Sequence, residues 1–158
     1  FFFTQKPAYA ILSGLVGSEM CIRDRHLITH EGYSQVYREL KEEKGSLISD
    51  AMDVARGGYF ISPPNHYPNA AWYSYDDVTC SYDCMIAEYF YWALTSILGA
   101  QSYPGRFDEI GHEWKLNTKQ KVMNSDSLIY SLMTDSKFNL PKVLPDNKYA
   151  GFDIKLSN

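Results

Sequence analysis

SYDCMIAEYFYWALTSILG, residues Ser81–Gly99, decides the fold. From Met85 to Leu98 almost every side chain is apolar or aromatic. A helix that is apolar all round has no side to give to water, so it belongs at the centre of its domain. The run falls short of the ~20 residues that a membrane span requires, and it contains Glu88. Glu88 is the only charged side chain between Asp83 and Arg106. An ionised carboxylate buried without a partner is prohibitively costly, so Glu88 must pair with a cation, bind a metal, accept hydrogen bonds or stay protonated. The partners on offer are Arg56, a tyrosine hydroxyl, His26, His30 and water.

Two further helices precede this one. From His26 to Glu43 the residues His26, His30, Tyr33, Tyr37 and Leu40 recur at spacings of three and four, opposite a solvated side of Arg38, Glu39, Lys41, Glu42 and Glu43. Gly45 breaks this pattern. Ser46 is placed to cap a second helix with the inner stripe Leu47, Ile48, Ala51, Val54 and Ala55, closed by Gly57 and Gly58. The short Lys-Gly link predicts an antiparallel helix hairpin.

Between that hairpin and the aromatic helix, residues 59–79 form a long connection in which Pro63, Pro64 and Pro68 forbid regular helix. Its aromatics, Tyr59, Phe60, Tyr67, Trp72, Tyr73 and Tyr75, suggest a loop pinned against the body. Downstream, Thr118 is read as the cap of a short helix over Lys119–Asn124, and Asp126 as the cap of another over Ser127–Met133. The expected fold class is mainly α: a helix hairpin packed on a buried aromatic helix, with a long ordered loop and short C-terminal helices.

Residues Leu15–Arg25, LVGSEMCIRDR, resemble an in-frame translation of the transposon adapter used to prepare sequencing libraries. The resemblance implies that residues 1–25 are not native and that 26–158 is a single, N-terminally truncated helical domain. The first 25 residues hold Lys6, Arg23 and Arg25 against Glu19 and Asp24, which leaves 12 basic and 17 acidic side chains in the remaining 133. An acidic balance without clustered Lys and Arg argues against nucleic acid as a partner. No transmembrane helix is expected, and the substrate class, peptide or small molecule, stays open.

Of the three cysteines, Cys80 and Cys84 lie outside the adapter-like stretch, as CSYDC. This spacing closes a small disulfide loop if the backbone bends, or sets two thiols on one helical face. It is too sparse for a zinc knuckle. A disulfide would favour an extracytoplasmic or secreted location.

His26 and His30 form H-x3-H, two imidazoles one helical turn apart on the side that carries Tyr33 and Tyr37. With a third ligand such as Glu88 and water in the fourth place, they make a catalytic zinc shell. HEW, His112–Trp114, lacks a second histidine and reads as a structural turn. Asp76, Asp77 and Asp83 lack calcium-loop spacing and read as turn and cap carboxylates.

HLIT followed by GSLISDAM is similar to the downstream half of the gluzincin metallopeptidases, whose HExxH helix continues as HxxT and whose later helix carries a glutamate ligand. In that comparison His26 matches the second histidine, Thr29 the threonine and Asp50 the glutamate position. ARGGYF and EYFYWALTSILGA resemble secreted or surface proteins, which makes Glu88 a rival third ligand. The resemblance implies a fragment of a zinc-dependent hydrolase, inactive as it stands; the residues themselves point to Zn2+ held by His26 and Glu88, with His30 either a further ligand or a donor behind the ligands, and Tyr33 donating to a developing oxyanion. The other expectation is a non-catalytic secreted helical module with a structural Glu/His/Tyr cluster.

Overall fold

The computed structural model describes residues 27–144 and is mainly helical. Its opening segment is a π-helical stretch, Leu27–Tyr33, that runs into one α-helical turn, Ser34–Val36 (together α1). After a 3-10 turn at Arg38–Leu40 come α2 (Leu47–Arg56), α3 (Tyr82–Ile97), α4 (Arg106–Ile110), α5 (Lys119–Ser125), α6 (Ser127–Thr134) and a last 3-10 turn at Ser136–Phe138. Helix α3 is the expected hub, with every residue from Met85 to Ala93 buried. Helices α2, α5 and α6 all pack on it, and α2 and α5 also pack on α6.

The helix ends follow their capping chemistry. Ser46 accepts from the Ser49 amide at 3.1 Å, Thr118 from Lys121 at 3.3 Å, and Asp126 from Ile129 at 3.2 Å. Gly57 ends α2 in the left-handed region at φ 77°. A Cβ there would also come within 2.9 Å of the Pro68 ring, so both backbone and neighbour require glycine.

One expectation needs correction: the pattern from His26 to Glu43 is not a single helix. It breaks at Tyr37, whose backbone is extended (φ −118°, ψ 115°). That conformation lets the Tyr37 ring meet Phe138 edge-on at 5.0 Å and lets the following 3-10 turn send Leu40 into the core. Tertiary packing of Tyr37 and Leu40 thus overrides the local period. The first arm of the hairpin is short and irregular.

The long connection is fixed by backbone as well as by rings. The α2 carbonyl of Ala55, orphaned by the helix end, accepts from the amides of Trp72 at 3.0 Å and Tyr73 at 3.3 Å. Tyr73 then pairs with Trp114 in an isolated antiparallel bridge, with Ser74 N donating to Glu113 O at 2.7 Å and Lys115 N to Trp72 O at 3.0 Å. Both Tyr73 and Trp114 are fully buried. Trp72 Nε1 and Tyr89 Oη both donate to Asp126 Oδ2, at 2.7 and 2.6 Å, and Tyr73 Oη donates to the Met85 carbonyl at 2.8 Å. The loop is therefore joined to α2, α3, the turn after α4 and the start of α6.

Cys80 and Cys84 form a disulfide across the start of α3. Closing so short a loop restrains the unfolded chain by about 2 kcal/mol on the loop-entropy view. No described helix is long and apolar enough to cross a membrane.

Candidate functional site

His26 lies outside the described residues, as does the adapter-like stretch 1–25. His30 sits on the π-helical stretch with Nδ1 2.6 Å from Glu42 Oε2 and Nε2 3.8 Å from Glu31 Oε1. The Glu42 hydrogen bond and charge raise the imidazole above its ordinary value. This contact, together with Glu42 N donating to Ser34 Oγ at 3.1 Å, ties the first arm to the hairpin link. Tyr33 packs between Tyr37 and Phe90, with ring centroids 6.4 and 5.9 Å away. Burial pushes its hydroxyl up, and with Phe90, Leu94 and Leu98 it lines an apolar groove of about 370 Å³. Asp50, exposed on the first turn of α2, faces Lys44 at 3.9 Å.

Glu88 is buried on α3, as its surroundings in the sequence require. Its charge acts on Tyr73, whose hydroxyl burial and Glu88 together push well above the usual tyrosine range. It acts also on Glu113. Arg56, one of its proposed partners, is fully buried and pairs with Asp53 at 2.7 Å.

Among the described residues, the group that gathers three possible metal donors is Asp76, His112 and Glu113, whose donor atoms all lie within 4.8 Å of one another. His30 and Glu88 are not in it. The HEW segment does form a turn, but its side chains have a second property: the Tyr73–Trp114 bridge sets the backbone of Glu113 against Ser74, next to the loop carboxylates. Asp76 and His112 are exposed and Glu113 is half-buried. Burial pushes the Glu113 carboxyl up, Asp76 and Glu88 adding to the rise against the pull of His112 and Arg106. All three line a groove of about 460 Å³, together with His66, Asn69 and Lys115. Such a group can hold a cation, because two carboxylates and an imidazole offer three donor atoms within 4.8 Å of one another.

This cluster escaped sequence reasoning because its members are 36 residues apart and belong to segments with no periodicity. The signals that exist are the acid pair Asp76-Asp77 in an aromatic loop and the His-Glu step before a buried Trp. Neither says that the two segments pair. No family model, no curated protein and no solved structure matches this chain.

Proposed function

We propose that this chain is an extracytoplasmic, disulfide-stapled helical module that works by presenting a fixed surface, not by turning over a substrate. The observation that carries this reading is the use made of its ionisable groups. The histidine nominated for zinc, His30, clasps Glu42 across the hairpin, while the buried Asp126 takes three donors from three parts of the chain. Side chains engaged in this way fix architecture. The Cys80–Cys84 disulfide fits an oxidising compartment.

The experiment is expression of the full chain into an oxidising compartment, followed by alkylation of free thiols and a peptide-hydrolysis assay with added zinc. Cys80 and Cys84 are expected to resist alkylation until reduced, and hydrolysis to stay at the level of buffer. Hydrolysis that zinc supports, that a chelator abolishes and that Glu88→Gln removes would instead establish the zinc-dependent hydrolase of metallopeptidase type.

A further inference from the structure

The groove between the long loop and the turn after α4 carries chemistry that the architecture does not use. Its walls are fixed by the bridge of two fully buried aromatics, Tyr73 and Trp114, and by the Ser74–Glu113 and Trp72–Lys115 backbone bonds. Its acidic and imidazole side chains, by contrast, are exposed (Asp76, His112) or half-buried (Glu113). We propose that this groove binds a divalent transition cation of the zinc class, held by the carboxylates of Asp76 and Glu113 and the imidazole of His112.

Geometry supports the ligand set. In a tetrahedral zinc shell neighbouring donors are about 3.4 Å apart, so donors already within 4.8 Å need to close by about 1 Å or a little more. Rotation of an exposed Asp76 and His112 covers that distance without moving the fixed backbone. His66 lines the same groove and offers a second imidazole. Charge favours a cation as well, since two carboxylates, Asp76 and Glu113, face the groove. Lys115, the competing cation in the groove, has its ammonium donated to the Ala71 carbonyl. The chemistry of the donors selects the metal. Calcium and magnesium prefer shells built of oxygen, whereas a site containing imidazole suits zinc and its neighbours.

The test is calorimetric titration of the full chain, freed of metal by a chelator, with zinc and separately with calcium. One saturable equivalent of zinc is expected, with calcium binding weaker by roughly tenfold or more. His112→Ala and Asp76→Asn should each weaken zinc by roughly tenfold or more, while His30→Ala leaves the isotherm unchanged. Circular dichroism of these variants should match the parent, because Asp76 and His112 are exposed. The proposal is overturned if the parent binds no zinc, if His112→Ala binds it as the parent does, or if His30→Ala abolishes binding. Hydrolysis is not read in this titration, so its outcome is separate from that of the non-catalytic reading.

Discussion

Asp126→Ala is expected to lower the unfolding free energy by about 3–5 kcal/mol, the upper range for a single substitution. The carboxylate is 3% exposed, and it accepts from the Trp72 indole, the Tyr89 hydroxyl and the Ile129 amide. Alanine leaves three donors without an acceptor, two of them away from water, and each such donor costs about 1–3 kcal/mol. The same change removes the cap of α6 and one of the ties between α3 and the long loop. Asp126→Asn keeps one accepting oxygen and should cost less, about 1–3 kcal/mol. Urea unfolding of the two variants checks the order. Equal and small losses for both would mean that the network is not closed in solution.

Arg56→Ala should have an effect of similar size, about 2–5 kcal/mol, as for other large buried side chains cut to alanine. Arg56 is fully buried, donates to Asp53 at 2.7 Å, and lies 5.3 and 5.6 Å from the ring centres of Tyr82 and Phe60. Removing it opens a cavity beneath the loop. Asp53 keeps Lys44 at 2.7 Å and the Tyr82 hydroxyl at 3.0 Å, so the carboxylate is not stranded. For that reason Arg56→Met, which restores the lost volume without the charge, should recover about half or more of the stability. If Met proved as damaging as Ala in thermal unfolding, the ion pair would matter more than the packing.

Where the sequence pattern was local, it was legible. A run apolar on every side put α3 at the centre, and Ser46, Thr118 and Asp126 cap the helices they precede. The prolines and aromatics of residues 59–79 marked an ordered loop, and Tyr73 and Trp72 hold it in place. What escaped depended on contacts between distant segments. The break at Tyr37 follows from Phe138, about a hundred residues on. The second role of Asp126, as acceptor for Trp72 and Tyr89, is invisible in a capping pattern. Of the nominated residues, Glu88 was marked as needing a partner and His30 as a metal ligand; His30 meets Glu42, and Glu88 is buried on α3. The gathering of Asp76 with His112 and Glu113 rests on a single bridge between two irregular segments, which no period of 2 or 3.6 announces.

Both the fixed surface and the cation groove require residues 59–79 to be a rigid wall. Amide hydrogen exchange at Tyr73, Ser74 and Lys115 measures that rigidity directly, since their N–H groups donate to Ala55, Glu113 and Trp72. The expected result is exchange only through global unfolding, with protection within about 1 kcal/mol of the amides in the middle of α3. Exchange at the rate of an unstructured peptide, while α3 stays protected, would contradict it and leave neither surface nor groove.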